Sequence, residues 1–191
     1  MSQHELIVKH FEQNIQTSMY AQDMLVEHIE QVAQLCTDVL VSDSHRIFTC
    51  GVQLSEIVAQ YFTAALLKRA PGVKPALPSI NLNLNSFMQM GAGVDAHIDT
   101  LRALARPKDV LLVFALDGDD PMIIQTVRVA NELDIQVVVV LGQHGFGVNN
   151  ELTAQDVEIR IPADDDASVI EHQILISNTF IKLIDNQLFG F

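Results

Sequence analysis

Asp109–Met122 reads DVLLVFALDGDDPM, and the fold follows from how this stretch divides. Val110, Leu111, Leu112, Val113 and Phe114 form an unbroken apolar run. A run without polar alternation suits a parallel strand covered on both faces by helices. Gly118 supplies a tight turn. Pro121 then opens a helix in which Met122, Ile123, Val127 and Ala130 continue at helical spacing. In open α/β sheets ligands lie at such strand ends, where N–H groups at a helix start attract anions. This turn nevertheless carries three acids, Asp117, Asp119 and Asp120. The functional question is whether it still takes an anion.

Outward from this unit the same alternation repeats. Downstream, a helix from Pro121 to Leu133 leads into the apolar strand Gln136–Leu141. A loop over 142–156, with a short turn at Asn149–Leu152, precedes the strand Val157–Ile161, which Pro162 stops. Asp164–Asp166 then gives a final helix, 167–188, an acidic start that its dipole favours. Upstream lie a strand at Arg46–Cys50 ending on Gly51, a helix over Gln53–Arg69, a loop from Pro71 to Pro78 and a strand over Ser79–Leu84. A short irregular piece around Phe87–Met90, punctuated by Gly91 and Gly93, precedes a helix at Ala96–Ala105.

Residues 3–40 read as helix, with Ile7, Phe11 and Ile15 every four residues and Leu25, Ile29, Val32, Cys36 and Val39 at steps of three and four. Ser18–Tyr20 is expected to break it in two. The whole is expected to be an α/β fold, a three-layer, doubly wound sheet of five parallel strands with an N-terminal helical extension, in one domain spanning 1–191. The extension's apolar stripe is expected to bury itself partly on its own sheet and partly on another subunit.

The composition suits a folded enzyme or binding protein. Hydrophobic residues make up 49% of 191, enough for a large core. The formal charge of −13 argues against direct nucleic-acid binding, which runs on basic patches. Cys36 and Cys50 form neither a disulfide framework nor a metal motif and read as reduced, structural thiols. The first residues lack a signal-peptide apolar core, and no apolar run is long enough to span a membrane. A cytoplasmic location is expected, with no membrane association.

Two turns carry the candidate chemistry. Thr49–Glu56, TCGVQLSE, offers Cys50, Gly51 and Ser55 to a phosphate; alternatively Gly51 serves a tight turn and Ser55 caps a helix. Ala115–Asp120, ALDGDD, offers Asp117, Gly118, Asp119 and Asp120 to a cation or to acid–base work; alternatively Asp119 or Asp120 caps the helix ahead of Pro121. Asn83 and Asn85 could line the same pocket. The seven histidines are scattered and give no zinc spacing. Gly142–Gly147, GQHGFG, is not a dinucleotide fingerprint and reads as a flexible loop. At the C-terminus Leu188, Phe189 and Phe191 are either tucked on the core or shown to a partner.

Several longer stretches carry a resemblance: AQYFTAALLKR (59–69), LPSINLN (77–83), RALARPKDVLLVFA (102–115), QDVEIRIP (155–162) and LIDNQLF (183–189). Through them the chain resembles the sugar isomerase (SIS) domain family over nearly its whole length. Within the family it is similar to the subgroup of phosphoheptose isomerases and DnaA initiator-associating (DiaA) proteins. The last two stretches look most like the initiator-associating members. The resemblance implies a flavodoxin-like sheet and a homotetramer assembled through helices that include residues 1–42.

It also exposes departures. The family's Cys-Gly-Asn-Gly-Gly/Thr-Ser turn keeps Cys50, Gly51 and Ser55 but has Val52 and Gln53 for the Asn and second Gly. The second turn, typically Ser-Thr-Ser/Arg-Gly-Asn-Ser, keeps only Gly118. The isomerase branch holds zinc with His, Glu, Gln and His; the matching positions are Tyr61, Ala65, Ile170 and Asn178. The segment between Asn85 and Leu101 is shorter than in relatives. On these departures the expectation is a non-catalytic protein without metal or cofactor, whose pocket is a remnant. Its partner would be a DnaA-type replication initiator, contacted through Leu188 and Phe189 and assembled at the origin. The alternative is a phosphosugar-binding protein, or a phosphoheptose isomerase-like enzyme with altered ligand preference.

Overall fold

The computed structural model describes residues 1–42, 44–70, 72–84 and 95–191. Five strands form one parallel sheet: β1 (Ile47–Gly51), β2 (Ser79–Asn81), β3 (Val110–Phe114), β4 (Gln136–Leu141) and β5 (Val157–Arg160). Their order is β2-β1-β3-β4-β5. The expected doubly wound sheet is therefore present. Its direction reverses between β1 and β3, the crevice where such sheets bind ligands. Register places Gly51 beside Phe114, so the two turns singled out above leave the sheet side by side.

Helices cover both faces: α1 (Gln3–Val41), α2 (Ser55–Leu67), α3 (Asp95–Leu104), α4 (Pro121–Glu132) and α5 (Asp166–Phe189). One core joins α1, α2 and α5 to alternate residues of the strands, including Leu112, Phe114, Val138 and Val140. The other joins α3 and α4 to Leu111, Val113, Val137 and Val139. Every residue of β3 is buried, as an unbroken apolar run predicts. Phe62 on α2 meets Phe114 and Phe180, the latter edge-to-face at 6.3 Å. Burying side chains of this size contributes about 1.5–3 kcal/mol each. Lys74 ties the loop before β2 to α5 through Asp185, 2.6 Å away and largely out of water.

α1 runs unbroken for 39 residues, about 58 Å, correcting the expected break at Ser18–Tyr20. No glycine or proline falls there, and the Ser18 hydroxyl contacts His172 on α5 at 3.0 Å instead of competing for α1's backbone. Residues such as Ala21, Leu25, Val32 and Cys36 bury against the sheet side, whereas Ile7, Phe11, Ile15 and Met19 stand in solvent. Only the own-sheet half of the expected burial is thus visible in one chain. β2 is shorter than expected, because Asn81 Oδ1 takes the Asn83 N–H and turns the chain into a 3-10 turn at Leu82–Leu84. Asn85 and the piece around Phe87–Met90 lie outside the described residues, as does most of the segment between Asn85 and Leu101. Both cysteines are free and buried. Among the described residues no helix is long and apolar enough to cross a membrane.

Candidate functional site

The carboxyl edge of the sheet is built from two neighbouring turns. In the first, β1 ends on Gly51, where a Cβ would come within 2.4 Å of the Ser55 carbonyl oxygen. Only glycine permits so close a return of α2 onto the strand. Asn83 closes this turn from the side. Its Oδ1 accepts the Gly51 N–H at 2.9 Å, and its Nδ2 donates to the Gly51 carbonyl at 2.8 Å.

Because Asn83 Nδ2 is the donor, His97 Nε2, 3.2 Å away, accepts, and the ring carries its proton on Nδ1. Nδ1 is buried with no partner among the described residues. Burial holds the His97 pKa below its ordinary value, which keeps this ring neutral. A second buried set supports the same strand end: Asn81 Nδ2 donates to Thr49 Oγ1, which lies 2.6 Å from Thr63 Oγ1.

Ser55 does not face the pocket. It is fully buried, and its hydroxyl donates to Gln173 Oε1 on α5 at 2.9 Å. Gln173 Nε2 in turn donates to the carbonyls of Ala115 and Val140, at 2.8 and 2.9 Å. One amide therefore fastens the start of α2 to the ends of β3 and β4. Neither Gln173 nor His97 was singled out from sequence. The available signal was a buried-face glutamine at i+4 from Val169 and three residues before Ile176. Cys50 lies beneath this turn, and burial, reinforced by the nearby Glu56 and Asp120 charges, pushes its thiol up to about 12. It stays protonated and is no nucleophile.

The second turn is closed by its own acids. Asp117 Oδ1 accepts the Asp119 N–H, and Asp120 Oδ1 accepts the Met122 N–H, both at 2.8 Å. Asp119 Oδ1 takes the Gly147 N–H at 2.7 Å. Asp120 is thus the cap of α4, one of the two candidates read from the sequence.

The Gly142–Gly147 loop, expected to be flexible, instead clasps this turn. Gly118 N donates to the His144 carbonyl at 3.1 Å, and Val148 N to the Gly118 carbonyl at 2.8 Å. A Cβ on Gly118 would lie 2.6 Å from the Gly145 carbonyl oxygen. Arg160 pins the far side through the His144 carbonyl at 2.9 Å and lies over the Phe146 ring. Donors that would meet an anion at the start of α4 are occupied by carboxylates.

Of the four positions that the resemblance matches to zinc ligands, Tyr61 and Asn178 meet across α2 and α5. Tyr61 Oη donates to Asn178 Oδ1 at 2.5 Å. Ala65 and Ile170 offer no ligand atom, and Ile170 packs against the core. A phenol and a carboxamide bonded to each other do not make a zinc site, which takes thiolate, imidazole or carboxylate. Among the described residues no three His, Cys, Asp or Glu side chains gather as metal ligands. The expected partner contacts, Leu188 and Phe189, are half-buried and packed on the core of α1, α2 and α5, with Phe189 stacked on Phe191.

This architecture has full-length counterparts. The SIS domain family matches residues 10–142. Phosphoheptose isomerase of Methylococcus capsulatus is 31% identical, with 100% of both chains covered. That of Alkalilimnicola ehrlichii is 32% identical, covering 100% of this chain and 99% of the relative. A phosphoheptose isomerase structure from Francisella tularensis superposes with a TM-score of 0.90 at 27% identity, over 97% of this chain and 100% of that one.

These findings correct the expectation of a non-catalytic protein that binds a DnaA-type initiator. Relatives matching end to end are enzymes, so replaced turn residues alone do not remove the chain from an enzyme lineage. The chain belongs to the SIS domain family and is a homologue of the phosphoheptose isomerases.

Proposed function

We propose that this protein is a sugar-phosphate isomerase-type enzyme whose ligand preference differs from that of the phosphoheptose isomerases, acting at the carboxyl edge between β1 and β3. The observation that carries the reading is end-to-end similarity to enzymes of that name, at 31–32% identity. The altered preference rests on the acidic turn. Each carboxylate within ~4 Å of a phosphate charge adds repulsion of about 1–4 kcal/mol, depending on the effective dielectric.

The phosphate is therefore assigned to the outer side of the turn between β1 and α2, with Gly51 held by Asn83 and with Cys50 and Ser55 buried behind it. Of the starts of α2, α4 and α5, only that of α2 lacks a carboxylate cap. Asp117, Gly118, Asp119 and Asp120 would border the sugar. The exposed Ile7, Phe11, Ile15 and Met19 stripe of α1 suits a homo-oligomer, a tetramer by analogy with the family. Similarity of 155–162 and 183–189 to the initiator-associating subgroup is taken as shared ancestry alone.

The test is a panel of five- to seven-carbon aldose and ketose phosphates in D2O. Exchange of the carbon-bound proton beside the carbonyl, read by NMR, reports enolisation. A ligand at 100 times its Kd stabilises the fold by about 2.7 kcal/mol, read as a thermal shift. Neither exchange nor shift with any member overturns the proposal.

A further inference from the structure

We propose that this chain holds no divalent metal at the α2–α5 positions where the isomerase branch holds zinc, and that the Tyr61–Asn178 hydrogen bond fastens the two helices there instead. The inference rests on the function proposed above only for its consequence, that isomerisation at this edge would need no metal at these positions. Its test does not depend on turnover.

The donor set carries the argument. Four positions lie on facing stretches of α2 and α5, two of them i, i+4 on α2 and two i, i+8 on α5. Ala65 and Ile170 end in carbon. Of the remaining pair, the phenol proton of Tyr61 is committed to Asn178 Oδ1 at 2.5 Å, which takes one of the two lone pairs on the side-chain carbonyl oxygen at these four positions. Zinc at four-coordinate or catalytic three-ligand sites draws on anionic or imidazole donors, and none stands at these positions. A phenol that keeps its proton is a neutral oxygen and supplies no anionic ligand. A metal here would have to break the Tyr61–Asn178 bond and would gain two neutral oxygens and no anionic or imidazole donor.

The experiment measures zinc content and melting temperature of the purified full chain after dialysis against zinc chloride, with and without EDTA. The comparison set is wild type, Tyr61→Phe, Asn178→Ala and the four-fold variant Tyr61→His, Ala65→Glu, Ile170→Gln, Asn178→His. Wild type is expected to carry no zinc that the two single variants lose, and EDTA is expected to leave its melting temperature unchanged. Tyr61→Phe is expected to melt about 2–4 °C lower without zinc present, reporting the lost hydrogen bond. The four-fold variant is expected to gain about one zinc per chain.

Stoichiometric zinc in wild type that disappears in Tyr61→Phe or Asn178→Ala overturns the proposal. Zinc that persists in both single variants lies elsewhere, as proposed. Should the four-fold variant fail to fold, the single variants decide the matter. Should it fold without gaining zinc, the assignment of these positions is overturned. Absence of sugar-phosphate turnover would count against the proposed function and leave this test intact.

Discussion

The two turns at the carboxyl edge start from the same design and end differently. Each drops from a buried strand through a glycine into a helix, and each glycine sits where a Cβ would strike backbone at 2.4 or 2.6 Å. The β1–α2 turn is braced from below by neutral amides and hydroxyls, and no carboxylate caps its helix. The β3–α4 turn is braced from above by a loop and filled by its own carboxylates. Adjacent strand ends can therefore diverge in charge without any change of topology, because the sheet fixes the backbone and only the turn residues choose what a helix start faces.

The largest expected effect attacks the clasp. Gly118→Ala drives a methyl into the Gly145 carbonyl and is expected to cost about 2–3 kcal/mol, seen as a lower urea midpoint. An unchanged midpoint would mean the loop rides loosely on the turn.

Next is the brace of the other turn. Asn83→Ala leaves the Gly51 N–H and carbonyl unpaired in a buried place and is expected to cost about 1–3 kcal/mol. A smaller loss would make the two turns less alike in their need for support.

The difference in charge is sharpened by Asp119→Ser with Asp120→Ser, which keeps a hydroxyl cap but removes two charges. Inorganic phosphate is expected to bind this variant about tenfold tighter than wild type, about 1.4 kcal/mol by calorimetry. Equal affinities would show that the acids do not decide where the anion sits.

The smallest effect is a slope with pH. The pKa of His97 is lowered in the folded chain, so below about 6.5 the unfolded chain takes up the proton first. Stability contributed by the neutral ring is full above that value and is lost as pH falls from there towards the folded pKa. His97→Gln is expected to flatten this part of the stability profile. A variant with the wild-type slope would place the titration elsewhere.

Much of the fold was legible because burial leaves a local mark. β3 and β4 announce themselves as unbroken apolar runs, and Gln136–Leu141 is found with both ends as read. Contacts between distant residues leave none. Nothing in GQHGFG tells that Gly145 will meet Gly118, so the loop read as loose. Asn83 and Asn85 looked alike as pocket polar residues, yet Asn83 spends both ends of its amide on Gly51. Ser55 looked like a phosphate donor, and only the fold brings Gln173 to its hydroxyl. The zinc positions misled in another way: their loss was readable, but losing a ligand set does not settle whether an enzyme remains.

Gln53 adds a last consequence. It holds φ +52°, a left-handed conformation that costs a side-chain-bearing residue about 1–2 kcal/mol, at the position where the family's turn has its second glycine. A glutamine here thus fills a backbone shape that suits glycine. The substitution is structurally reversible: a single Gln53→Gly exchange would meet a seat already formed. The mouth of β1 would therefore shed this side chain, and the strain that goes with it, without any rearrangement of its backbone.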